Sequence, residues 1–96
     1  MKSYLVLDLT IHDLSKFRDY IARIPEFIER YAGRYIVRGA EAEVVEGDWR
    51  PERLVIIEFP SRDHAERFLQ DPEAQALFAI RHDSTSSRLV LVEGGT

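Results

Sequence analysis

Two strand-like segments of this 96-residue chain are apolar at every position, and this feature limits the possible folds more than any other. Residues 54–57 and 89–92 carry only aliphatic side chains. A strand with one solvated face alternates between apolar and polar residues, so both segments are expected to be buried on two faces of a sheet. A chain of this length is expected to form one domain, residues 1–96, which has few elements with which to cover both faces.

The first half of the chain predicts a strand, a helix and a second strand. Residues 4–11 alternate in polarity as a strand does, and an apolar stripe with helical spacing follows from Leu14. Pro25 should kink or break this helix, because proline lacks the N–H group and crowds the preceding turn. Gly33 is a residue that commonly ends a helix.

The second half predicts two more strands and a second helix. Strands are expected over residues 34–38, 53–59 and 88–93, with a bulge or bend at Gly39 after the first of them. A helix is expected to begin at Ser61, and Asp71-Pro72 should restart it. The polar run 83–87 should be a loop. The resulting order, β-α-β-β-α-β, is the split βαβ arrangement, in which right-handed crossovers place both helices on one face of a four-stranded antiparallel sheet.

The other face of this sheet has no element of the chain to cover it. Its continuously apolar strands nevertheless require a cover, and exposed apolar patches of that size normally mark an interface. We therefore predict a homodimer in which two sheets pack face to face. The alternative is a monomer with a weakly hydrophobic open face, and light scattering at micromolar concentration distinguishes the two.

Composition and motifs exclude several classes of function. The chain has 17 acidic and 13 basic residues, which disfavours a partner that is nucleic acid or an anionic membrane. Cysteine is absent, and the three histidines lack metal-ligand spacing, so no metal site is expected. No glycine-rich phosphate loop or dinucleotide fingerprint occurs, so no cofactor is expected. Without a signal peptide or a long apolar run, a soluble cytoplasmic protein is predicted.

Several motifs resemble those of a known family. They are Arg-Tyr-Ile-Val-Arg-Gly-Ala at 34–40, Glu-Gly-Asp-Trp at 46–49, Glu-Phe-Pro-Ser at 58–61 and Leu-Val-Leu-Val-Glu-Gly at 89–94. In this order they resemble the bacterial domain of unknown function 1330 family, which belongs to the dimeric α+β barrel superfamily. Where the family pattern has a second glycine, this chain has Ala40.

The resemblance implies an α+β class, with a ferredoxin-like βαββαβ protomer that forms a dimeric α+β barrel. It does not imply an activity, because the family has no established one. The superfamily includes cofactor-independent monooxygenases, haem-degrading enzymes and proteins with no known catalysis. Choosing among these would rest on fold alone.

Three charged residues interrupt the apolar strands, namely Asp8, Arg38 and Glu58. In a split βαβ sheet the first strand borders the third, and the second strand flanks the third. We therefore expect Asp8 to lie near Glu58, with Arg38 within reach. Such a group suits binding of a polar or anionic ligand through Arg38 and proton transfer by Glu58 or Asp8. The alternative is a structural ion pair between Arg38 and Glu58 at the dimer interface.

Histidine and aromatic residues supply the remaining candidates. His82 is a third possible acid or base, although a cation near a helix C-terminus is also favourable for structural reasons. Trp49 lies in the turn region and suits either ligand stacking or, as we favour, contact with the partner subunit. With Arg38, the candidate ligand-binding residues are Tyr35, Trp49, Phe17 and Phe68.

Two functions follow from this pattern. The first is binding of a small molecule in an apolar pocket between sheet and helices, including the case of a cofactor-independent enzyme. The second is a non-catalytic dimeric module whose polar sheet residues only stabilise the dimer. An Arg38→Ala variant separates them, because a structural residue affects the melting temperature and the dimer, whereas a binding residue affects only stabilisation by ligand.

Overall fold

The elements follow the predicted order, with the second helix divided in two. The structure is a computed structural model that describes residues 1–94. Its elements are β1 (Ser3–Ile11), α1 (Leu14–Arg30), β2 (Arg34–Ala40), β3 (Arg53–Phe59), α2 (Arg62–Gln70), α3 (Pro72–Ser84) and β4 (Thr85–Glu93). The strands form one antiparallel sheet in the order β2-β3-β1-β4, which confirms the α+β class and the ferredoxin-like protomer.

Side chains of β1 alternate between the two faces of the sheet. Leu5, Leu7 and Leu9 are buried in the hydrophobic core together with apolar residues of the helices, such as Ile24 and Leu77. Burial of each large aliphatic side chain contributes roughly 1.5–3 kcal/mol relative to exposure. This face of the sheet is therefore the one that packs against the helices.

The opposite face of the sheet, here called the open face, carries the other residues of β1 and their cross-strand partners. These are Tyr4, Val6, Asp8 and Thr10 on β1, Leu54, Ile56 and Glu58 on β3, and Ser86, Arg88, Val90 and Val92 on β4. Val90 and Val92 are 58% and 49% exposed. The apolar strands thus have one buried face and one face that the described protomer leaves accessible.

Two local features differ from what the sequence indicated. Of the kink or break expected at Pro25, the break does not occur: helix α1 runs continuously from Leu14 to Arg30, and the buried Ile24 and Phe27 on either side of the proline hold both parts of the helix in the core. The polar run 83–87 is not a loop, because α3 continues to Ser84 and β4 begins at Thr85. The hydroxyl groups of Ser84 and Thr85 donate to the carbonyls of residues 80 and 81. These carbonyl groups in the last turn of α3 thereby have hydrogen-bond partners, although no loop follows the helix.

Helix α1 ends at a left-handed residue that is not glycine. Ala32 has a φ of 62°, and its N–H donates to the carbonyl of Glu29 at 3.0 Å. The N–H of Gly33 donates to the carbonyl of Ile28 at 2.9 Å, which completes a Schellman motif. The sequence correctly indicated a helix end at this point, but Ala32 rather than Gly33 adopts the unfavourable conformation.

We predict that Ala32→Gly will stabilise the protein by about 0.5–1 kcal/mol. Glycine removes the steric cost of the left-handed conformation, although it also increases the entropy of the unfolded chain. Urea unfolding measures the change. Ala22→Gly, on the exposed surface of α1, is the matched control and should destabilise by about 0.5–1 kcal/mol. Equal losses in the two variants would contradict the prediction.

Candidate functional site

A cavity of about 800 Å³ lies on the open face, at the end of the sheet where Asp8 is located. The cavity has an apolar floor and polar walls, and several charged groups surround it. Its lining residues are Val6, Asp8, Thr10, Asp48, Trp49, Arg50, Ser86, Ser87, Arg88 and Val90. This volume lies within the usual range for small-molecule sites, about 300–1,000 Å³.

The loop of residues 41–52 forms one wall of the cavity by crossing onto the open face. Trp49 Nε1 donates a hydrogen bond of 2.9 Å to Asp8 Oδ2. The indole is thereby anchored at one edge, yet Trp49 remains 54% exposed. This hydrogen bond joins two residues that the sequence singled out separately. The contact was not predicted, because nothing in the local pattern indicates where a loop of this length folds.

Arg88 lies directly opposite Asp8 in the pairing of β4 with β1. The two side chains do not form an ion pair, and within residues 1–94 no carboxylate approaches Arg88 or Arg50 within 4.0 Å. Two guanidinium groups therefore line the cavity without an acidic partner. Sequence reasoning missed Arg88, although it is the only charged residue of the otherwise hydroxyl-bearing and aliphatic run 85–92.

Glu58 occupies the other end of the open face. It lies opposite Tyr4, four residues along β1 from Asp8, which corresponds to about 13 Å. The expected proximity of Asp8 and Glu58 is therefore wrong. Arg34 Nε donates to Glu58 Oε1 at 3.0 Å, and Lys2 Nζ lies 3.6 Å away. Burial acts to raise the pKa of Glu58, but these cations outweigh it and hold that pKa below its usual value.

The expected pairing of Arg38 with Glu58 is also wrong. Strand β2 contains two register shifts, and the first of them moves Arg38 to the face that packs against the helices, opposite Val55. The guanidinium of Arg38 lies 4.5 Å from the ring centroid of Tyr35. The partner of Glu58 is instead the strand's first arginine, Arg34, which lies directly opposite Glu58 in the pairing of β2 with β3.

The aromatic residues predicted to line a pocket pack within the helix-covered layer. Phe17 stacks on Tyr20 with ring centroids 5.6 Å apart, and Phe68 lies 5.4 Å from Phe59. Burial raises the pKa of Tyr20 to about 12, and burial also raises the pKa of Tyr35. The layer between sheet and helices, where the sequence placed a pocket, is filled by these side chains, whereas the cavity described above lies on the opposite face.

Arg81 is a buried cation that sequence reasoning missed. It is 4% exposed, and its guanidinium lies 5.8 Å from the ring centroid of Tyr20 and 5.4 Å from that of Phe78. Its Nε has no hydrogen-bond partner among the described atoms. Arg81 Nη2 lies 3.3 Å from Nε2 of the exposed His82, so the structure places this candidate acid or base beside Arg81 and away from the cavity.

We expect Arg81→Met to preserve the free energy of unfolding or raise it by about 1–2 kcal/mol. Methionine is apolar and fills much of the same space, so the cost of burying an unpaired charge is removed. Arg81→Ala should instead destabilise by about 2–4 kcal/mol, because it leaves a void beside Tyr20 and Phe78. Urea unfolding compares the two. Equal losses would show instead that the cation–π contacts stabilise this region.

A second groove, of about 600 Å³, lies on the helical side of the protein. Its lining residues are Lys16, Asp19, Ala79, Ile80 and Asp83, and an ion pair of 2.8 Å joins Lys16 to Asp83. Within residues 1–94, no three histidine, aspartate or glutamate side chains converge to hold a metal ion. In the same part of the chain, no helix has the length and apolar character needed to cross a membrane.

The sequence model of a domain of unknown function (DUF1330) matches residues 2–95. The chain belongs to the DUF1330 family. This match confirms the resemblance found in the motifs of β2, β3 and β4. No protein with curated function matches the DUF1330 chain.

Solved structures similar to the DUF1330 chain share its fold. A protein of unknown function from Rhodopseudomonas palustris has a TM-score of 0.80 at 16% identity, over 99% of this chain and 83% of that one. SnoaB, a cofactor-independent oxygenase from Streptomyces nogalater, has a TM-score of 0.67 at 20% identity, over 99% and 94%. A dimeric ferredoxin-like protein of unknown function from Jannaschia has a TM-score of 0.73 at 10% identity, over 98% and 100%.

Proposed function

We propose that this DUF1330 protein is a homodimer, formed through the open faces of two sheets, that binds a small molecule in the cavity beside Trp49. The observation that carries the proposal is the cavity of about 800 Å³, in which an apolar floor meets converging polar groups. Binding sites for small molecules commonly combine a largely apolar surface with a few fixed polar groups. Of the candidate site residues, Asp8 and Trp49 belong to this cavity.

The open face has the polarity expected of an interface between two copies. Val6, Ile56 and Val90 lie side by side across three strands at its centre. Charged residues lie at its two ends, with Glu58 at one and Arg88 at the other. Interfaces commonly have an apolar centre and a polar periphery. Two proteins of similar structure are described as dimers, which supports this arrangement.

The cavity would lie at the edge of this interface. Val6 and Val90 belong both to the apolar centre and to the cavity lining, so a partner packed on Ile56 beside them would close the open side of the cavity over this floor. Removal of water would strengthen the polar contacts of a bound molecule. A partner subunit would in this way contribute to both stability and binding.

An enzymatic form of the proposal assigns proton transfer to Asp8. SnoaB, which shares the fold, is a cofactor-independent oxygenase, and this supports the search for a reaction that needs no cofactor. Asp8 lines the cavity, whereas Glu58 and His82 lie outside it. Oxygen uptake with a panel of quinol-like compounds tests the oxygenase class, and Asp8→Asn should abolish any uptake observed. Glu58→Gln, a carboxylate change at the other end of the same face, should leave it intact.

The binding proposal is tested by a broad panel of small molecules. Trp49 is the only tryptophan, so its indole N–H gives one assignable signal in nuclear magnetic resonance spectra. A ligand should shift this signal and raise the melting temperature, with about 2.7 kcal/mol of stabilisation at a concentration one hundred times Kd. Trp49→Leu should remove the stabilisation. An intact dimer with no response to the panel would contradict the proposal and favour the non-catalytic module.

A further inference from the structure

The contacts of Asp8 indicate which chemical group the cavity would bind. We infer that the ligand is an organic carboxylate with a flat apolar body, whose charged group binds Arg88 and Arg50. This inference rests on the proposed function, since it names the ligand class of the same cavity. Three features of the lining support it: uncompensated guanidinium groups, an anchored but exposed indole, and an apolar floor.

The first feature is the absence of the ion pair that the sheet register would allow. Asp8 and Arg88 are directly opposite on neighbouring strands, where opposite charges commonly attract each other. The carboxylate of Asp8 instead accepts the N–H of Trp49 at 2.9 Å. Arg88 is thereby left, among the described residues, without a carboxylate within 4.0 Å.

Arg50 supplies the second guanidinium group of the cavity. It follows Trp49 directly in the loop, lines the same cavity as Arg88, and likewise has no ion pair in the described part of the chain. The planar guanidinium group can donate two parallel hydrogen bonds to a carboxylate. Of the two acidic residues in the lining, Asp8 is already engaged by the indole, which leaves Asp48 as the only other anion competing for the arginines.

The shape of the ligand follows from the apolar part of the lining. Trp49 is held by its Nε1 atom, while 54% of its surface remains exposed beside the cavity. Val6 and Val90 form an aliphatic floor. A flat apolar body can contact both an aromatic ring and such a floor with a large area and little loss of conformational entropy. Hydroxyl groups of Thr10 and Ser87 line the edge of the cavity for polar substituents of the ligand, whereas the hydroxyl of Ser86 is engaged by His12 Nε2 at 2.6 Å.

Calorimetry on the full-length protein at low salt tests the inference with 2-naphthoate as the probe. The matched compound 2-naphthamide has the same flat body without the charge, and decahydronaphthalene-2-carboxylate keeps the charge without the flat body. We expect 2-naphthoate to bind and to shift the indole signal of Trp49. Each matched compound should bind roughly tenfold more weakly, which corresponds to about 1.4 kcal/mol.

Three arginine variants locate the charged contact. Arg88→Met and Arg50→Met should each weaken 2-naphthoate binding by roughly tenfold and abolish the preference over 2-naphthamide. Arg18→Met is the control, because Arg18 is exposed on α1, outside the cavity, and has no ion pair among the described residues. Circular dichroism and light scattering check fold and dimer. If the methionine variant does not fold, Arg88→Lys takes its place. This substitution keeps the charge but not the planar group, so it should retain part of the affinity.

The outcomes separate this inference from the proposed function. Equal affinity for 2-naphthoate and 2-naphthamide, or equal losses in Arg18→Met and Arg88→Met, would overturn the carboxylate assignment while binding in the cavity remained. If neither 2-naphthoate nor 2-naphthamide binds, the assigned ligand class is also wrong. The proposed function would then still stand if neutral or cationic members of the broad panel shift the Trp49 signal, and would fail if none of them does.

Discussion

Val90→Asp should convert the proposed DUF1330 dimer into a folded monomer. Val90 is 58% exposed at the centre of the open face, so a carboxylate there costs the isolated protomer little. In a face-to-face dimer the same carboxylate would lose its contact with water in both copies, which is costly for a charged group. We expect the dissociation constant of the dimer to rise about a thousandfold, which corresponds to about 4 kcal/mol. Light scattering and sedimentation at micromolar concentration measure the change.

Val45→Asp is the matched control for this substitution. Val45 is 92% exposed and belongs neither to the strand residues of the open face nor to the lining of the cavity, so it receives the same chemical change away from both. This variant should remain dimeric. A dimer that survives Val90→Asp would place the interface elsewhere, and a dimer lost equally in both variants would show a general effect of added charge. Circular dichroism confirms that each variant keeps its strands and helices.

Gly33→Ala should destabilise the protomer by about 3 kcal/mol, which lowers Tm by more than about 10 °C in a domain of this size. A Cβ atom at this position would lie 2.6 Å from Phe59 Cε1 and 2.9 Å from Ile28 Cγ2. Phe59 is 0% exposed and Ile28 is 2% exposed, so neither side chain has free space into which it can move. Differential scanning calorimetry and urea unfolding measure the loss.

Phe59→Leu tests whether this loss is steric. Alone, it should cost about 1–2 kcal/mol, because leucine fills less of the core than phenylalanine. In combination with Gly33→Ala, the total loss of unfolding free energy should be smaller than the sum of the two separate losses by at least about 1 kcal/mol. The reason is that leucine lacks the ring edge that the new methyl group would meet. Strict additivity would contradict the steric explanation and point to the backbone at Gly33.

The elements and their order were predictable because they depend on local patterns. Alternation in β1 separates Leu5 and Leu7 from Val6 and Asp8, and this separation is the one observed. Asp71 accepts hydrogen bonds from the N–H groups of Glu73 and Ala74, so an Asp-Pro pair starts α3 as such pairs commonly do. Each of these features involves residues only a few positions apart, and their effect on the backbone is direct.

The candidate site was predictable only in part. Asp8 and Trp49 were identified as unusual residues for their positions, but their hydrogen bond depends on the path of a loop that carries no repeating pattern. The pairing of Arg38 failed because Arg34 lies directly opposite Glu58, whereas Arg38 lies opposite Val55, three residues away on β3. Gly39 indicated the second register shift of β2, but the register of strands that are distant in sequence depends on how they fit together, which short-range spacing does not reveal.

The amino-acid sequence by itself determined the split βαβ topology, the family and an apolar face that calls for a cover. These properties follow from the polarity and spacing of neighbouring residues, whose effect on the backbone does not depend on contacts between distant parts of the chain. Only the tertiary structure decided that Glu58 pairs with Arg34, that Trp49 engages Asp8, and that Arg88 remains available at a cavity. These contacts join residues 24 to 41 positions apart or residues of different strands, so they depend on strand register and loop path.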